Sequence, residues 1–307
     1  MPFLCAVLSR TAHGVCLLLS HRGYFFMPRL LVRVWERYFG EPLRKVEAES
    51  LAYRLSDAGR RADLKTPAVL ITAAACLVLQ NYTDHPNQLA GVVGAVVNAV
   101  AGAASGAGVE ATLLRWEQDQ PTRLLWWALN AVFCYTVFPI LLLKLVFRQR
   151  LADHGLKLRG LLNAWPLYVC FVTVMVPLVW TFSATEHFQR VYPFLKVNSA
   201  EEVRSHMWKW EPAYALQFVA LEFFFRGFIV HGTKHRFGIY AVFVAMVPYV
   251  QIHFLKPMPE AVASIVAGVV LGFMSLITRS VWLGAALHIG IAWGMDFACL
   301  YRRGLLP

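Results

Sequence analysis

Along the chain, apolar residues gather into blocks divided by short polar or basic stretches. Thr66 to Gln80, Leu124 to Phe147, Leu161 to Phe182, Pro212 to Val230, Phe237 to Phe254, Ala261 to Ile277 and Val281 to Leu300 are such blocks. Each is close to the roughly 20 residues that a helix needs to cross a bilayer's hydrocarbon. Leu89 to Gly108 is also apolar but is built mostly of Gly, Ala and Val. Small residues let helices approach closely in membranes, so this block reads either as a span or as a tightly packed, re-entrant segment. The pattern predicts an all-α fold, a polytopic transmembrane helical bundle of seven or eight spans.

Three regions follow from the pattern: a basic amphipathic segment over 1–65, N-terminal membrane helices over 66–147, and a C-terminal helical core over 148–307. Met1 to Ser20 is interrupted by Arg10 and His13 and shows no small-residue cleavage site of the signal-peptide kind, so it reads as an interfacial helix or a weak first span. From Phe25 to Lys65 apolar and basic residues alternate, with Arg29, Arg33 and Arg37 at four-residue steps. That suits a helix lying on a membrane surface, and equally a plain solvated face. Arg148 to Arg159 and the linker Gly232 to Arg236 are basic and fall on one side of the bundle, assigned to the cytoplasm. Arg302 and Arg303 fit that orientation poorly. Trp126 and Trp127 read as interfacial anchors, and Pro166 and Pro177 as kink points. His231 and His235, in the basic linker, are expected to face solvent.

Composition sharpens the class. The sequence is 58% hydrophobic and 15% charged, with a mean hydropathy of +0.52. A soluble domain of this size carries more charge. The net charge of +11 does not call for nucleic acid, because the basic residues lie between apolar blocks and in the N-terminal segment. There they serve topology and contact with anionic lipid. The six cysteines form no CxxC pair and mostly lie in apolar runs, as buried small hydrophobes do. Short loops and the lack of an organellar signal suit an integral protein of a bacterial inner membrane. No Gly-rich phosphate loop on a strand, no zinc HExxH and no solenoid period is present.

The chemistry is concentrated in Leu221-Glu222-Phe223-Phe224-Phe225-Arg226-Gly227. Charge at bilayer depth is expensive and normally faces a protein interior or a wet cavity. On a helix Glu222 and Arg226 fall one turn apart on one face. The bland reading is a structural ion pair; the sharper one is a site. His253 and His288 lie in later apolar runs. His253, near Lys256 and Pro257, is unremarkable as an interfacial histidine, whereas His288 is deeper. Tyr249 reads as support by shape and hydrogen bonding. Asp296, two turns past His288, either orients it or caps the helix near the surface, and the second is favoured. Two histidines and a carboxylate also suit zinc with an open position, so Glu222, His253 and His288 make a metal site the rival explanation.

These residues resemble the CAAX-protease and bacteriocin-processing (CPBP, or Abi) family of intramembrane peptidases. The resemblance covers Arg148 to Pro307. The family's Glu-Glu-x-x-x-Arg stands here as Leu221-Glu222-Phe223-Phe224-Phe225-Arg226, its Phe-x-x-x-His as Tyr249-Val250-Gln251-Ile252-His253, and its His-x-x-x-Asn as His288-Ile289-Gly290-Ile291-Ala292. The resemblance implies a glutamic-type endopeptidase without a cofactor, acting on a membrane protein or lipidated peptide near its terminus. Glu222, Arg226, His253 and His288 are then the catalytic set. Leu221 replaces the first glutamate and Ala292 the asparagine. Two other classes compete: a non-catalytic scaffold or bacteriocin-immunity protein of the same fold, and a transporter using Glu and His as a proton relay. The two halves show no inverted hydropathy repeat that would favour transport.

Overall fold

The computed structural model describes residues 9–10, 15–20, 23–158, 165–254, 256 and 258–306, with side chains described from residue 32 and not at 259. The chain begins with three short antiparallel strands, β1 (Ser9–Arg10), β2 (Val15–Ser20) and β3 (Gly23–Pro28), with Leu17 opposite Phe26. The expected helix or first span over Met1 to Ser20 is therefore replaced by strand pairing across its described part. The eight residues Val15-Cys16-Leu17-Leu18-Leu19-Ser20 and Arg10, Ser9 are too few to cross hydrocarbon as a helix, and pairing satisfies their backbone groups instead.

From Arg29 onward the described chain is helical. Helices α1 (Arg29–Trp35), α2 (Glu41–Leu55) and α3 (Asp57–Arg60) make up the rest of the basic segment. They are followed by α4 (Lys65–Thr83), α5 (Pro86–Ala101), α6 (Ala103–Gln118) and α7 (Gln120–Leu141). The block Leu89–Gly108 is not one span. It breaks at Gly102, whose φ of 92° favours glycine, and folds back as the α5–α6 hairpin. A Cβ on Gly106 would lie 2.5 Å from Gly94 O, so the small residues permit the close hairpin.

The second half comprises α8 (Trp165–Phe182), α9 (Glu186–Val191), α10 (Ala200–Glu222), a π-helical segment Phe223–Val230, α11 (His231–Phe237), α12 (Ala241–Gln251), α13 (Met258–Thr278) and α14 (Trp282–Arg302). Among the described residues six helical stretches are long and apolar enough to cross a membrane; one of them, Ala200–Gln251, joins two of the blocks read from sequence. The architecture is an all-α polytopic bundle.

The π segment is the centre of the bundle. Every residue from Phe223 to Val230 is buried, as expected of a helix apolar on all sides. Phe224 stacks on Tyr135 of α7 at 4.6 Å between centroids, and Phe225 meets Tyr249 of α12 edge-on at 5.2 Å. By contrast α8 buries none of its residues fully and exposes Val169, Val172 and Val176, a surface suited to lipid. At the far end of α10 a second cluster stacks Phe194, Trp210 and Tyr214 with Trp127. Trp127, partly buried, thus packs against this cluster, while the indole of Trp126 donates to Thr83 O. Cys76, Cys134 and Cys299 are buried as expected, and Cys170 is exposed on α8.

Among the described residues Arg302 and Arg303 make no ion pair. Arg302 lies over Trp180 and donates to Trp180 O and Ser183 Oγ; Arg303 donates to Gln189 O and Tyr192 O. These carbonyl and hydroxyl acceptors hold two cations at the end that the charge pattern did not favour.

Candidate active site

Glu222 stands where α10 passes into the π segment, a kind of helical irregularity that recurs at functional sites. The amide of His231 reaches back five residues to Arg226 O, closing the wider turn. Glu222 and Arg226 remain on one face: Oε1 lies 3.0 Å from Nη1, with both side chains almost wholly buried. His288 of α14 places Nδ1 2.8 Å from the same Oε1. Its Nε2 lies 3.1 Å from Tyr249 Oη, and its ring stacks on Phe218. Arg226 in turn lies over the Tyr249 ring, 4.2 Å from its centroid. Four sequence-predicted residues, Glu222, Arg226, Tyr249 and His288, therefore form one cluster.

The arrangement favours one tautomer. With Nδ1–H turned to the carboxylate, Nε2 accepts from the Tyr249 hydroxyl. The contacts around Glu222 are close, but both carboxylate oxygens, both terminal nitrogens of Arg226 and His288 Nδ1 lack an aligned hydrogen bond among the described residues. The carboxylate thus keeps lone pairs with which to accept a proton, and the guanidinium keeps N–H donors.

His253 belongs to the same wall in a different way. Its Nδ1 lies 2.8 Å from Tyr249 O, one turn back, and its ring packs 4.8 Å from that of Tyr249. Among the described residues no three His, Cys, Asp or Glu side chains gather as a group that could hold a metal ion. Asp296 stands apart. It is fully buried and accepts from Phe194 N at 3.1 Å and Trp210 Nε1 at 3.4 Å. It neither orients His288 nor caps a helix at the surface; the loop before α10 folds over it and takes its oxygens. His231 is likewise buried instead of solvent-facing, and His235 is half-buried, because the basic linker is the continuous helix α11 packed on α2 and α4.

Two glycines shape the site from outside the polar set. A Cβ on Gly284 of α14 would overlap Glu222 Oε2 and lie 2.8 Å from Cδ. Only glycine lets α14 lie on the carboxylate. Gly284→Ala is expected to turn Glu222 from His288, lower any turnover about 100-fold and cost about 1–3 kcal/mol of stability. A cleavage assay beside a thermal melt checks both; unchanged turnover would show that the placement of Glu222 is immaterial. Gly227, next to Arg226, would with a Cβ come within 2.6 Å of His154 O, and His154 Nδ1 lies 3.1 Å from Gly227 O. The loop Leu151–His154 is thereby keyed to the motif's backbone.

His154 also predicts a pH dependence. Burial, aided by Lys65 and Lys234, pushes its imidazole down to about 4, against an ordinary value of 6.5. Between those values the unfolded chain binds the proton and the folded chain does not, so stability falls as pH drops. The full difference approaches about 3 kcal/mol. Melting temperature measured from pH 7 down to 4.5 should decline in wild type and decline less steeply in His154→Gln; parallel curves would exclude His154 as the source.

Comparison with known proteins finds one similarity, in the part of the chain that holds this cluster. Residues 204–294 match the type II CAAX prenyl endopeptidase Rce1-like family. The matched stretch runs from α10 into α14 and contains Glu222, Arg226, Tyr249, His253, His288 and Ala292; Asp296 lies beyond it. No curated protein and no solved structure matches the chain. Residues 204–294 thus resemble an Rce1-like domain, set within an all-α polytopic bundle.

Proposed function

We propose that this protein is an intramembrane endopeptidase that cleaves a membrane-anchored or lipidated protein near its terminus. The observation that carries this reading is the buried Glu222 carboxylate 2.8 Å from His288, with the imidazole tied in turn to Tyr249. Glu222 takes a proton from water as the water oxygen attacks the scissile carbonyl carbon. The C=O electrons move to oxygen, and the tetrahedral species collapses as the C–N bond breaks. Glu222 then gives its proton to the leaving amine. His288, held by Tyr249 through Nε2, fixes the Glu222 carboxylate in place for the attacking water through Nδ1. The developing oxyanion needs donors, usually the largest catalytic requirement. Ala292 supplies none, so Arg226 and His253 are the groups assigned to it. No step calls for a metal ion.

A second reading, a non-catalytic scaffold, draws support from Leu221 and Ala292. Leu221 is buried in the core beside the phenylalanines, and Ala292 packs with Trp210 and Tyr214. Both positions are filled by packing, not chemistry. Mass spectrometry of protein termini from cells carrying wild type or Glu222→Gln at equal abundance separates the two. A defined set of termini lost in the variant supports peptidase action and names the substrates. Identical termini favour the scaffold.

A further inference from the structure

At the opposite end of the central helix from α10's aromatic cluster, α2, α4, α11 and the loop 149–154 enclose a second polar cavity of about 240 Å³, lined by Lys65, Lys234, His154, His231, His235 and Ser50 among others. This is roughly eight water volumes. The mechanism uses none of these side chains. Lys65 is the first residue of α4, a helix long and apolar enough to cross a membrane, so the cavity lies at one end of that candidate span.

The hydrogen bonds fix the charge here. Lys234 Nζ lies 3.0 Å from His231 Nδ1, and an ammonium can only donate, so Nδ1 accepts. The proton of the neutral ring is then on Nε2, which donates to Ser275 Oγ at 3.0 Å. His231 is thus a neutral prop that holds a lysine ammonium at the cavity. Two carboxylates also line it, Glu49 and Asp153. Glu49 is taken by Arg279 at 2.6 Å, and Asp153 is exposed. Asp63, nearby, is taken by His235 and by Thr66. Among the described residues neither Lys65 nor Lys234 makes an ion pair, and His235 Nδ1 is buried without a hydrogen bond. Two partly buried cations without an ion-pair partner, whose neighbouring carboxylates are engaged elsewhere or exposed, stand beside an imidazole nitrogen with no partner, an arrangement that an anion would complete.

We infer that this cavity binds a phosphate group at the membrane surface, through Lys65 and Lys234. Phosphate offers several strong acceptor oxygens to converging N–H donors. The group is either the headgroup of an anionic phospholipid or a free phosphate.

The test uses the full chain in phosphatidylcholine nanodiscs at constant ionic strength, read by melting temperature. One arm adds inorganic phosphate, with chloride as its control. The other dopes the disc with phosphatidic acid, with oleate matching the charge without phosphate. Wild type and Lys45→Gln, an exposed lysine of α2, should be stabilised in at least one arm. Lys65→Gln/Lys234→Gln should lose that shift, its affinity falling at least about tenfold, and Lys65→Arg/Lys234→Arg should retain most of it. A shift with inorganic phosphate identifies a free-phosphate site; a shift with phosphatidic acid alone identifies a lipid site. Three results overturn the inference: no shift of wild type in either arm, an oleate shift equal to that of phosphatidic acid, or an undiminished shift in the Gln variant. Broadening of the inorganic phosphate ³¹P resonance by wild type gives a binding readout that needs no variant.

Discussion

Glu222→Gln is expected to lower peptide-bond cleavage by about 10³-fold in proteoliposomes, with KM almost unchanged. Glutamine matches the shape of glutamate and can still accept a hydrogen bond, but it cannot take a proton from water at neutral pH. The loss therefore falls on the chemical step. The variant should remain folded, because Arg226 keeps its place over the Tyr249 ring, where a cation is attracted to the π face. A monodisperse protein with a moderately lowered melting temperature is the control that separates lost chemistry from lost structure. Turnover within about tenfold of wild type would remove Glu222 from the role of general base, since that role contributes 10² or more.

How much of this site could be read from the chain depended on the range of each contact. Glu222 and Arg226 are four residues apart, so helical geometry alone placed them together, and they are found at 3.0 Å. His288 and Tyr249 were legible only as polar points in separate apolar runs; spacing carries no information on which helix faces which. Gly284 left almost no signal, because one glycine in a membrane helix is ordinary and its meaning lies in the carboxylate opposite. Asp296 was misread for the same reason. Its partners Phe194 and Trp210 lie 102 and 86 residues away. His231 misled differently: a basic linker between apolar blocks resembles an exposed loop, yet here the helix continues and tertiary packing on α2 and α4 covers it. The bundle itself was plain, since block length against bilayer thickness is a strong constraint. The break at Gly102 was the exception, where small residues suit a span and a tight hairpin alike.

Arg226→Leu should be the most destabilising single change, at about 3–5 kcal/mol, because it leaves the Glu222 carboxylate buried with no permanent counter-charge. The informative companion is Glu222→Met/Arg226→Leu. Replacing both members of a buried ion pair with apolar side chains of similar volume is often neutral or stabilising, whereas removing one is not. Reversible unfolding in mixed micelles should therefore show the double variant recovering most of the stability lost by Arg226→Leu, and neither variant should cleave. Recovery would mean that the pair is dispensable for folding, so its presence in the most buried part of the bundle needs a chemical reason. A double variant as unstable as the single one would instead make Glu222 and Arg226 a structural tie, and the balance would move to the scaffold that Leu221 and Ala292 suggest.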